Sequence, residues 1–135
     1  MKSMGTFHVG CKVENHRVPK KSAVVPKMLV DSGSDFTWLP ENVLHRIGVE
    51  PVKKDLQIQM ANGNIITRTV GYAILHVDKY QTIDEVVFAQ PGDLLLLGAR
   101  ALEGMNVHVD PRRKKLVASG PALAATAGKG RSCVA

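Results

Sequence analysis

One short segment of the chain combines residue types that can do acid–base chemistry at a useful spacing: Met28-Leu29-Val30-Asp31-Ser32-Gly33-Ser34-Asp35-Phe36-Thr37-Trp38-Leu39. An apolar run delivers Asp31 directly into a Ser-Gly turn, and a second apolar run leaves it. Apolar flanks partly desolvate a carboxylate, while backbone and hydroxyl donors beside it favour its charged form, so its proton affinity can be tuned. Such a group is suited to general acid/base work on a water molecule. Other chemistry-bearing residues are scattered. His8, His16, His45, His76 and His108 lack the close spacings of zinc sites, and His8-x-x-Cys11 alone is too little to hold a metal. No metal or other cofactor is expected. Cys11 and Cys133 stand near opposite ends of the chain, which argues for reduced thiols rather than a structural disulfide and fits a cytosolic compartment.

The elements that must position Asp31 are mostly strands. Phe7, Val9, Cys11 and Val13 recur with period two, the mark of a half-buried strand. After a polar stretch containing Pro19, residues 23–30 form a second extended run that ends on Asp31. Val43, Leu44 and Ile47 lie between Pro40 and Gly48, and Pro before with Gly after is the punctuation of a short helix over 41–47. Leu56, Ile58 and Met60 alternate again. Ala61-Asn62-Gly63-Asn64 then separates them from a long strand over 65–77, and Asn-Gly between alternating runs predicts a hairpin. A strand over 83–89, the apolar run 94–97, a short helix over 99–104 and a closing strand pair near 107–109 and 116–117 complete the pattern. The expected fold is all-β with two short helices.

Bulk properties narrow the function classes. At 135 residues the chain holds one domain with a real core and is too short for two ordinary ones. Aromatic residues are only 4% of it, so the core must be built from Val, Leu and Ile, which suits closely packed strands. No stretch approaches the ~18 apolar residues of a membrane span, and residues 1–10 lack the apolar centre of a signal peptide, which suggests a cytoplasmic protein. The formal charge of +6 is densest at Arg112-Arg113-Lys114-Lys115. No aromatic residues interleave that cluster to stack on bases, so it reads as a solvated hairpin turn after Asp110-Pro111, and no nucleic-acid partner is expected. Residues 118–135 shift to Ala, Gly, Ser and Pro without periodicity. The expected organisation is therefore a folded domain over 1–117 followed by a disordered tail.

Three features together resemble the retropepsin-like aspartic proteases, most closely their bacterial single-domain members. The first is Leu29-Val30-Asp31-Ser32-Gly33-Ser34, similar to the family's apolar-apolar-Asp-Thr/Ser-Gly-Ala/Ser. The second is the Ala61-Asn62-Gly63 hairpin, placed like the flap that covers substrate. The third is Leu96-Leu97-Gly98, followed by Ala101-Leu102-Glu103-Gly104 and Val107-His108-Val109-Asp110-Pro111, which looks like the family's apolar-apolar-Gly turn, short helix and final strand. The resemblance spans about residues 6–117.

It implies a β-barrel subunit of a two-fold dimer, with Asp31 as the catalytic acid/base. It also implies that Ser32 bonds across the subunit boundary and that Gly33 offers its carbonyl to an extended polypeptide substrate. Asp35 falls where retroviral members have an acidic residue on the substrate main chain, and Ala61, Asn62 and Gly63 would close over the substrate. Asp35 reads equally as a solvated or ion-paired loop carboxylate. Retroviral members place Arg directly after the turn glycine; here Ala99 intervenes, so pairing of Asp35 with Arg100 is left open. Pepsin-like hydrolysis needs two carboxylates sharing one proton. This chain has one Asp-Ser-Gly, so a homodimer must supply the second. Two other readings compete. Asp31-Ser32-Gly33 is also similar to the nucleophile segment of chymotrypsin-like serine proteases, but that segment needs glycine before and after, where this chain has Val30 and Ser34. The same fold could instead serve as a noncatalytic dimerisation or peptide-binding module.

Overall fold

In the computed structural model, which describes residues 7–121, the first alternating stretch forms β1 (His8–Glu14), with Cys11 and Val13 turned into the core. It pairs antiparallel with β2 (Ser22–Val30), and its register shifts between Val9 and Cys11. Beyond the Asp31 turn the chain enters β3 (Thr37–Pro40) and then α1 (Glu41–Arg46), which buries Leu44. The helix begins after Pro40 and stops before Gly48, which takes a left-handed φ of 78°. Next come β4 (Lys53–Gln59), β5 (Ile65–Val77) and β6 (Tyr80–Ala89). The two residues of β7 (Leu96–Leu97) lead into α2 (Ala99–Gly104), and β8 (Val107–Asp110) with β9 (Lys115–Ala118) form a separate hairpin.

The all-β frame with two short helices is as expected, and β5 has the predicted limits. Several strands differ from the sequence reading: β4 starts at Lys53 rather than at residue 56, only 96–97 of the run 94–97 are strand, and two further differences have a clear cause. β6 starts at Tyr80 rather than at residue 83, because β5 turns tightly into it through Asp78-Lys79, where Asp78 takes a left-handed φ of 53°. The apolar run after the Asp31 turn is itself a strand, β3. It shows no alternation because both of its faces are covered: Leu39 belongs to the main core, while Trp38 belongs to a second cluster with Val70, Val87 and Ala89. β6 separates the same two clusters, with Val86 and Phe88 on one side and Val87 and Ala89 on the other.

Strand order in the large sheet is β1-β2-β7-β3-β6-β5-β4, and β1 also pairs with β5 at Lys12↔His76, Val13↔Leu75 and Glu14↔Ile74. The sheet therefore closes into a barrel and leaves β4 outside the closure as an edge. Long β5 makes this possible. Its C-terminal half pairs with β1 and β6, whereas Ile65 to Arg68 have β4 as their partner, so β4 and the start of β5 stand off the barrel as a two-stranded ribbon. Where β5 passes from ribbon to barrel sits buried Gly71. An added Cβ there would lie 2.7 Å from the Glu50 carbonyl oxygen, 3.0 Å from Val49 and 3.2 Å from the Phe88 ring.

The basic cluster is the β8–β9 turn, as read from the sequence. Asp110 Oδ1 accepts the N–H groups of Arg112 and Arg113 at 3.1 Å each, and Lys114 takes φ 54°. Of the expected tail, β9 holds Ala118, and Ser119 donates its N–H to Asn106 O at 2.9 Å. Residues 122–135, and Cys133 with them, lie outside the described residues. Cys11 is an unbridged, buried thiol whose pKa burial pushes up to about 12. Among the described residues, no helix is long and apolar enough to cross a membrane.

Because a methyl at residue 71 meets backbone on one side and a packed ring on the other, Gly71→Ala should lower folding stability by about 1–3 kcal/mol. Urea denaturation with an unchanged m-value would show it.

Candidate active site

Asp31 sits where β2 ends, and three contacts fix its loop. Its own N–H donates to Leu97 O at 3.0 Å, its carbonyl accepts Ser34 N–H at 3.1 Å, and its Oδ1 accepts Gly33 N–H at 2.9 Å. The carboxylate is half-buried, while Ser32 and Gly33 are exposed. Among the described residues the Ser32 hydroxyl has no hydrogen-bond partner within the protomer.

β7 holds the loop from below. It lies between the two strands that enter and leave the Asp31 turn, running parallel to β2 (Leu29↔Leu96, Val30↔Leu97) and antiparallel to β3 (Trp38↔Leu96). The residue after it, Gly98, touches the loop backbone. A Cβ there would lie 2.3 Å from Phe36 O and 2.8 Å from Ser34 O. Gly98 N–H donates to the Thr37 hydroxyl at 3.0 Å, which accounts for a fully buried polar side chain in an otherwise apolar run. The next two amides continue the clamp: Ala99 N–H reaches Ser34 O at 2.7 Å and Arg100 N–H reaches Asp35 O at 3.2 Å.

Above the loop lies the β4–β5 ribbon, and between them is a cleft of about 500 Å³. Asp31, Gly33 and Asp35 line it from the loop, and Ile58, Met60 and Ala61 from the ribbon. Of the three expected flap residues, the structure thus brings Ala61 to the cleft and leaves Asn62 and Gly63 at the hairpin tip. There Asn62 Oδ1 accepts Asn64 N–H at 2.9 Å, and Gly63 takes a left-handed φ of 89° that suits glycine. Ser34, Gln57 and Gln59 also line it, and Phe36, Trp38, Leu94 and Leu96, which nothing in the periodicity singled out, complete the walls.

A match over residues 20–104 links the chain to the family described as "gag-polyprotein putative aspartyl protease". The chain belongs to this family. No curated protein matches it. The aspartyl protease match begins just before β2 and ends with α2, so it takes in the Asp31 loop, the ribbon and the β7 clamp, and leaves β1 and the β8–β9 hairpin outside.

Two ion-pair groups brace the cleft. Arg68, on the ribbon's β5 side, grips Asp93 in the loop before β7 through Nε–Oδ2 and a second N–H to Oδ1, both at 2.8 Å. Both side chains are largely buried, and Asp93 Oδ2 also accepts Gln90 N–H at 2.8 Å. The Arg68 hydrogen bond holds the Asp93 carboxyl below its ordinary range, and Asp93 in turn raises Arg68. The second group centres on Glu85, whose carboxylate meets Lys53 at 2.8 Å and Arg100 at 2.7 Å and is lowered mainly by Lys53. Arg100 therefore does not pair with the Asp35 side chain. Its guanidinium lies over the Phe36 ring, 4.7 Å from the centroid. Neither brace could be read from spacing, because their members come from elements far apart in the chain: β5 and the loop before β7 for one, β4, β6 and α2 for the other.

A carboxyl whose folded-state pKa is depressed stabilises the fold fully above its unfolded pKa, and that contribution is lost as pH falls through the folded value. Asp93→Asn should therefore cost about 1–2 kcal/mol near neutral pH. The gap from wild type should close progressively as pH drops below about 4, measured by chemical denaturation at a series of pH values.

Proposed function

We propose that the protein is an aspartic endopeptidase that works as a homodimer, each protomer contributing one Asp31 to a shared dyad. The observation that carries this reading is the placement of the Asp31 carboxylate and the edge strand β4 on facing walls of one cleft. An edge strand offers unpaired backbone N–H and C=O groups, which an extended peptide can join as a further strand. A polypeptide is thus the ligand whose backbone fits the wall opposite Asp31.

Hydrolysis follows from the proton count. Two carboxylates brought together at a two-fold axis cannot both ionise readily, so they share one proton. The ionised member draws a proton from water as it attacks the scissile carbonyl, and the protonated member donates to the carbonyl oxygen. The dyad ends with the same single proton after the leaving amine is protonated, so no covalent intermediate is required. Exposed Ser32 would bond across the axis and hold the two loops in register. The free carbonyl of Gly33 and the carboxylate of Asp35 would accept main-chain N–H groups of the substrate. The Ala61-Asn62-Gly63 hairpin, with the strands below it, would cover the bound chain and exclude water.

Asp31→Asn removes the ionisable group and nearly keeps its shape, so it should abolish cleavage of a mixed peptide library while leaving the melting temperature close to wild type. Ownership of the second carboxylate is tested by a covalently linked dimer with one wild-type and one Asp31→Asn copy. It should be almost inactive, whereas complete sites in each protomer would leave about half the activity. Unlinked enzyme should also lose specific activity on dilution, as half-sites accumulate by mass action.

A further inference from the structure

We propose that Asp35 is a specificity-determining residue that makes the cleft select polypeptides carrying a lysine or arginine side chain close to apolar residues. The proposal rests on the proteolytic reading above and names a substrate class for it.

Charge in the cleft runs against charge in the molecule. The chain carries a net +6, yet the residues lining the cleft include two carboxylates, Asp31 and Asp35, and no Lys, Arg or His. The cation best placed to neutralise Asp35 is committed elsewhere. Arg100 gives only its backbone N–H to the Asp35 carbonyl, at 3.2 Å, while its guanidinium is held by Glu85 at 2.7 Å and stacked on Phe36. Lys53 is also bound to Glu85, at 2.8 Å. Glu85 thus collects two nearby cations, and the exposed Asp35 carboxylate has no ion-pair or hydrogen-bond partner among the described residues.

Apart from Ser34, Gln57 and Gln59, the rest of the lining is apolar, and all of it but Trp38 is open to contact. Leu94 is 67% exposed and Met60 37%, and Phe36, Ile58 and Leu96 are half-buried beside them. Side chains of an extended peptide point alternately to opposite faces. A chain lying along β4 can therefore set an apolar group on this wall and, within a residue or two, a cation against Asp35. An acidic side chain at that position would instead add a third negative charge to the cleft.

Capped octapeptides with a central Leu-Phe pair test the idea, carrying Lys, norleucine or Glu at each of the three positions on either side. Their affinity is measured with full-length Asp31→Asn protein, and their cleavage with wild type. At one position, Lys should bind about fivefold tighter than norleucine, and Glu more weakly than either. That preference should shrink in about 0.5 M salt. In the Asp31→Asn, Asp35→Asn double variant the Lys/norleucine ratio should fall to about one, with an unchanged melting temperature. A Lys preference at no position, one that survives Asp35→Asn, or no peptide bound at all would overturn the proposal. The two readings separate cleanly. Lys-selective binding with no cleavage by wild type sinks the protease and supports the subsite; cleavage with no Lys preference does the reverse.

Discussion

The backbone of Gly98 presses so closely on the carbonyls of Ser34 and Phe36 that no side chain fits between them. From this contact the rest of the candidate site takes its geometry. A loop carrying a half-buried carboxylate would ordinarily be free to relax toward water. Here its two flanking strands are kept apart by β7, and three successive amides, from Gly98 to Arg100, bond the Thr37 hydroxyl and the Ser34 and Asp35 carbonyls. Loop acceptors that would otherwise need solvent are satisfied by a neighbouring segment, which lets the loop sit in an apolar frame without leaving these oxygens unpaired. The Asp31 loop is thus held by the barrel as well as by the hydrogen bonds of its own turn.

Much of this was legible in the sequence, for reasons particular to each element. Residues 65–77 alternate because one face of β5 is buried and the other is not. The Asp31 turn, the Asn-Gly hairpin and the Pro–Gly limits of α1 are local, so neighbouring residues encode them. β3 and the end of β6 escaped alternation because clusters cover both of their faces. β7 has only two residues and owes its existence to partners far away in the chain. The same holds for Thr37, whose hydroxyl is explained only by Gly98, and for the Arg68–Asp93 and Glu85 braces, which join elements that no short-range pattern connects.

The braces also divide the labour of charge. Arg68 ties the ribbon to the loop that precedes β7, so the hairpin above the cleft and the segment that clamps its floor are joined by one buried bidentate pair. Arg100 and Lys53 converge on Glu85, joining α2, β4 and β6 behind Phe36. Charge compensation is thereby concentrated behind the cleft wall, and the lining of the cleft keeps its two carboxylates with no Lys, Arg or His beside them.

The wedge strand has a temporal consequence. Thr37 and the amide that satisfies it are 61 residues apart. During synthesis the Asp31 loop therefore leaves the ribosome long before the segment that clamps it. Contacts of such separation require closure of a long loop and are slow to form. A nascent chain thus holds its acidic turn before Leu96, Leu97 and Gly98, which complete the frame, have been made. The geometry of the Asp31 loop is in this way coupled to completion of the barrel, and its final form must wait for the last third of the described chain.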